Sequence, residues 1–183
     1  MSILANYLAQ LIKAQLNGEK PVSVPEEIQV EDLIHLSCKN HMEYLVMGAL
    51  LKTDGISEEI QGILRSHVMR SIVRTTTQIM DLKEIIRRFE EKKIVNQPMK
   101  GAQMKFIYPS PEMREMSDID ILIRHDCMDR AAEELKDMGY VLEQAIKHHD
   151  IYVKEPFMVV EAHRAMYDNC LLYTSPSPRD PKT

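Results

Sequence analysis

Two aspartates, Asp118 and Asp120, stand one residue apart inside the apolar run DIDILI at residues 118–123, downstream of a Lys-Gly pair at positions 100 and 101. In an extended strand successive side chains alternate faces, so Asp118 and Asp120 share one face while Ile119, Ile121 and Ile123 share the other. Two carboxylates on one face repel. The repulsion is offset either by a divalent cation held through oxygen or by solvent at a strand edge. Further on, in FMVVEAH at residues 157–163, the same alternation puts Glu161 and His163 on one face. If that strand lies beside the aspartate strand, Glu161 becomes a third carboxylate at the same place. Three carboxylates suit a hard cation, Mg²⁺ or Mn²⁺, and leave positions for phosphate oxygens and water.

The order of features is itself informative: the apolar pair Ile94 and Val95, a turn through Pro98, Met99, Lys100 and Gly101, a short helix expected over residues 102–108, then the strand bearing Asp-x-Asp. It resembles the nucleotidyltransferase superfamily typified by DNA polymerase beta. More narrowly, the Lys-Gly pair, the Tyr-Pro-x-Pro turn at 108–111, Arg114 ahead of Asp-Ile-Asp and the later Glu-x-His are similar to an uncharacterised bacterial nucleotidyltransferase family, over residues 30–166.

The resemblance implies an enzyme that moves a nucleoside monophosphate from an NTP, with Mg²⁺ or Mn²⁺, to a hydroxyl acceptor that the sequence does not identify. It makes Asp118 and Asp120 metal ligands, and Glu161 either a ligand of the activating metal or the group that takes the hydroxyl's proton. It gives the phosphates to Lys100 as counter-charge, to the amides of Gly101 and Ala102 at the start of the short helix, and more weakly to Arg114. Ala102 departs from the pattern, which prefers Gly or Ser there, so a hydroxyl contact is missing. The spacing from Gly101 to Asp118 is also longer than the superfamily's, with the turn at 108–111 to absorb it.

Two other readings compete. An Asp-x-Asp glycosyltransferase also pairs aspartates with a divalent cation, but expects a doubly wound nucleotide domain before them, where this chain reads as helical. A non-catalytic nucleotide-binding or interaction module of the same fold is favoured by Ala102 and disfavoured by the three retained carboxylates.

Helical spacing of Ile3, Leu4, Tyr7, Leu8, Leu11 and Ile12 predicts a first helix that stops at Asn17 and Gly18. A second is expected over 31–52 and a long third from Ser57 to about Lys93, carrying Arg65, Arg70 and Arg74 on its outer surface. A helix over 126–138 and strands over 140–146, 150–154 and 157–163 follow the aspartate strand. The fold class predicted is α+β: a helical N-terminal region, 1–93, then a nucleotidyltransferase-type mixed sheet with flanking helices, 94–168. His41, His148, His149 and His163 read as structural, and the lack of a compact His/Cys set speaks against zinc.

Residues 169–183 stand apart. CLLYTSPSPRD at 170–180 resembles one reading frame of a transposase adapter used in sequencing libraries, so a native chain truncated near residue 168 is expected, with an artefact after it. With 44% hydrophobic and 28% charged residues the chain can bury a core, and its formal net charge of −5 is poor material for generic nucleic-acid binding. Taking away Arg179, Lys182 and Asp180 makes it one unit more negative. Cys38 and Cys127 form no Cys-x-x-Cys pair, and no signal peptide or membrane span is legible, so a cytoplasmic protein with no membrane partner is expected.

Overall fold

The computed structural model describes residues 2–165, and the adapter-like run at 170–180 lies outside them. The architecture is α+β, with a helical N-terminal region and a five-stranded mixed sheet. Two compact units make it up: residues up to Asp81 together with Lys100–Ser117, and Leu82–Met99 together with the described residues from Asp118 onward. Among the described residues no helix is long and apolar enough to cross a membrane.

The first unit begins with α1, Ile3–Asn17, whose Ser2 hydroxyl accepts from the Ala5 N–H and whose end is turned by Gly18 at φ 71°. α2 spans Val30–Lys39 and α3 Glu43–Leu50. Together they replace the single helix expected over 31–52. The break has a local cause. Asn40 donates both its backbone N–H and its side-chain amide to the Leu36 carbonyl, closing α2, and His41 then takes φ 52° before the Met42 N–H returns to the Ser37 carbonyl. His41 is therefore an exposed hinge residue and not a packed one. Tyr7, Leu11, Leu33, Val46, Met47, Leu50 and Leu64 form the core here. α4, Glu58–Glu91, supplies its residues up to Asp81 to this unit and the rest to the second. Lys100–Ser117 adds α5, Lys100–Met104, and two single 3₁₀ turns, Lys105–Ile107 and Pro111–Met113.

The second unit is built on strands β1, Asn96–Pro98; β2, Ile119–Ile123; β3, Val141–Ala145; β4, His149–Lys154; and β5, Met158–His163. They run in the order β1-β2-β5-β4-β3, with β2 and β5 parallel and the other neighbours antiparallel. On one face Ile119, Ile121, Ile123, Val160, Ala162 and Tyr152 are buried. α6, Met128–Asp137, buries Met128, Ala131 and Leu135 at three- and four-residue spacing, and Leu82, Ile85 and Phe89 of α4 are buried as well. By alternation the opposite face carries Asp120, Glu161, His163 and His149.

Candidate functional site

Register brings the chemistry of the second unit together. In the parallel β2–β5 ladder Asp120 lies opposite Glu161, and in the antiparallel β4–β5 ladder His149 lies opposite His163. Cross-strand partners sit side by side on one face. The His163 Nε2 is 2.9 Å from Asp120 Oδ1 and 3.2 Å from Glu161 Oε2. A carboxylate only accepts, so the nitrogen donates, and one N–H can point squarely at only one of the two oxygens. His149 Nε2 stands 4.0 Å from the same Glu161 oxygen, with its ring 4.9 Å from that of His163. Asp120 is buried, whereas the side chains of His149 and Glu161 keep 23% and 21% exposure, so the cluster opens to solvent on their side.

Asp118 immediately precedes β2 and is half-buried; the strand expected from residue 118 starts at Ile119. Of the expected carboxylates, the ladder thus pairs Asp120 with Glu161, while Asp118 sits at its entrance. The imidazoles between and beside them carry more of the arrangement than the sequence reading gave them. His149 was legible in principle. Residues 154 and 158 pair across the turn holding Pro156, and the pairing runs without a shift back to 149 and 163. A hairpin centred on Pro156 therefore predicts the His149–His163 pair. Starting the strand at 150 hides it.

The residues expected to meet phosphate belong to the first unit. The Met99 N–H donates to the Asp120 carbonyl at 2.9 Å, and the chain then enters α5 through Lys100, exposed and at φ 46°. Gly101 and Ala102 are buried. A Cβ on Gly101 would lie 3.1 Å from the Met116 Cβ, a backbone-anchored atom with little room to retreat. Gly101→Ala is expected to cost about 1–2 kcal/mol as overpacking, read as a fall in the urea midpoint at unchanged slope. Arg114 is exposed and donates to the Glu115 carbonyl.

The same unit holds a cavity of about 270 Å³ lined by Cys38, Glu43, His67, Arg70, Ser71, Arg74 and Glu115. Glu115 accepts from the Tyr44 N–H at 2.7 Å and the Ser71 hydroxyl at 2.8 Å; burial first, then Glu43 beside it, raises its pKa to about 7. Burial also pushes the Cys38 thiol up and the nearby His67 imidazole down, so this pair, 3.8 Å apart, lacks the thiolate a nucleophile needs. Arg70 and Arg74 face a mixed-charge cavity, while Arg65 bonds Gln61 on the exposed helix surface.

A family model described as uncharacterised nucleotidyltransferase matches residues 26–181. No curated protein matches the sequence. Among solved structures, the solution structure of the antibiotic-resistance factor ANT(2'')-Ia is similar over 50% of this chain and 48% of that one, at 13% identity and a TM-score of 0.44. This chain spans about half the length of that protein.

Proposed function

The chain belongs to the uncharacterised nucleotidyltransferase family, and on that premise we propose that it is a metal-dependent enzyme transferring a nucleoside monophosphate from an NTP to a hydroxyl acceptor. The observation that carries the proposal is the pairing of Asp120 with Glu161 on adjacent parallel strands, both within 3.2 Å of one histidine nitrogen. Such a set of carboxylate oxygens sharing a single donor fits a divalent cation, which Asp118, Asp120 and Glu161 would hold. Bound there, the cation supplies charge neutralisation to the nucleotide phosphates.

The remaining work falls to the chain's own groups. Glu161, the more exposed of the paired carboxylates, takes the proton of the attacking hydroxyl. His163 orients Asp120 through its Nε2–H, with the Glu161 carboxylate 3.2 Å from the same nitrogen. The resemblance assigns phosphate contact to Lys100, Gly101, Ala102 and Arg114, which belong to the first unit.

The test is transfer of label from α-³²P NTPs to a panel of hydroxyl acceptors by the full chain, with pyrophosphate release followed in parallel. Metal-dependent labelling that EDTA abolishes is the expected outcome. Nucleotide binding without label transfer or pyrophosphate release would instead favour a non-catalytic module.

A further inference from the structure

We propose that His149, Glu161 and His163 form a binding site for a transition-series divalent cation, Zn²⁺ or Mn²⁺, and that these two imidazoles make the protein prefer such ions over Mg²⁺. One ligand atom from each of the three residues lies within 4.8 Å of the others. Donors about 2.1 Å from a common ion are separated by roughly 3.0 to 4.2 Å, from neighbouring to opposite positions of a coordination shell. The Glu161 Oε2 separations of 3.2 Å to His163 and 4.0 Å to His149 fall within that span, and the outer bound of 4.8 Å for the set asks the donors to draw together by a few tenths of an ångström at most. The scaffold is nearly in place. Both histidines occupy directly paired ladder positions, and Glu161 sits two residues before one of them on the same face. Strand-borne ligands of this kind are held in place before the ion arrives.

Imidazole nitrogen suits Zn²⁺ and the other transition ions, whereas Mg²⁺ favours an all-oxygen shell. Two nitrogens and one carboxylate, open on the side where His149 and Glu161 keep partial exposure, is a donor set that leaves a position for water or a substrate oxygen. Asp120, 2.9 Å from His163 Nε2, stands close enough to join as a fourth donor once that nitrogen gives up its proton to ligate the ion. The site shares Glu161 with the carboxylate set proposed above, yet it stands on geometry alone and does not require nucleotidyl transfer.

The experiment titrates the full chain with Zn²⁺, Mn²⁺ and Mg²⁺ by calorimetry, and with Co²⁺ by visible absorption, in the absence of nucleotide. Variants His149→Ala, His149→Gln, His163→Gln and the exposed control His125→Ala are compared. The expected result is one Zn²⁺ site per chain that is lost or weakened at least tenfold in the His149 and His163 variants and unchanged in His125→Ala, with Co²⁺ absorption changing in the same variants. Far-ultraviolet circular dichroism confirms that the variants are folded, and the two His149 replacements guard against one of them failing. Equal Zn²⁺ and Co²⁺ binding by wild type and the folded His149 variants would overturn the proposal, as would Mg²⁺ binding at least as tight as Zn²⁺. Because nucleotide is absent, either failure leaves the transfer reaction standing, and a protein that binds Zn²⁺ here without transferring label separates the two in the other direction.

Discussion

Asp120→Asn is expected to lower metal-dependent transfer from an NTP by at least about 10²-fold, on the order of 3 kcal/mol of transition-state stabilisation, while leaving the protein folded. Asp120 is the carboxylate that the fold encloses most, at 3% exposure in a strand flanked by buried isoleucines, so its charge is poorly screened and its removal is felt strongly by any ion beside it. Asparagine keeps an oxygen for the His163 Nε2–H, so the hydrogen bond at 2.9 Å has a replacement acceptor. Stability should then hold or rise, because a buried negative charge near Glu161 is gone and the neutral amide has no comparable burial cost. The two measurements separate the roles. A loss of rate with an unchanged thermal midpoint identifies a group needed for the chemistry, a parallel fall in both identifies a structural one, and wild-type turnover at saturating Mg²⁺ removes Asp120 from the metal site.

What the sequence made legible was what depends on period. Ile119, Ile121 and Ile123 against Asp120 announce a half-polar strand, and Glu161 two residues before His163 announces another; these are local patterns that strand geometry converts directly into faces. The pairing of those strands is a non-local fact, and the alternation of each alone could not supply it. His149 was obscured by placing a strand boundary one residue late, an error that costs little in secondary structure and hides a side chain at the cluster. The break between α2 and α3 was hidden differently. Apolar periodicity runs on through it in Leu33, Leu36, Leu45 and Val46, and only the Asn40 amide returning to Leu36 and the left-handed His41 mark the stop. Nor did pattern show that Arg70 and Arg74 face Glu43 and Glu115, since those contacts join segments far apart in sequence.

Lys105→Met is expected to stabilise the protein by about 2–3 kcal/mol at pH 7. Lys105 falls within the short helix expected over residues 102–108. The structure instead buries it completely in a 3₁₀ turn, and its Nζ has no hydrogen-bond partner among the described residues. Burial is the main reason its pKa falls to about 8; Arg114 pushes the same way, while Glu112 and Glu115 partly restore the charge. A lysine with an ordinary pKa of 10.5 when unfolded and about 8 when folded binds its proton more tightly in the unfolded state between those values. The wild-type protein therefore has this contribution in full above pH 10.5 and loses it as pH falls toward 8, below which the cost is constant. Methionine has nearly the same length, fills the space with no charge to desolvate, and removes the cost. Urea midpoints of the two proteins should accordingly be furthest apart at pH 7 and converge as pH approaches 10.5. Glu115 provides the opposing control: with its pKa raised to about 7 from 4.5, its protonated form favours folding at low pH and that benefit disappears as pH rises through 7, so Glu115→Gln should gain on wild type with rising pH. A Lys105→Met advantage that does not shrink toward pH 10.5 would assign the effect to packing alone and would place the amine in a solvated position.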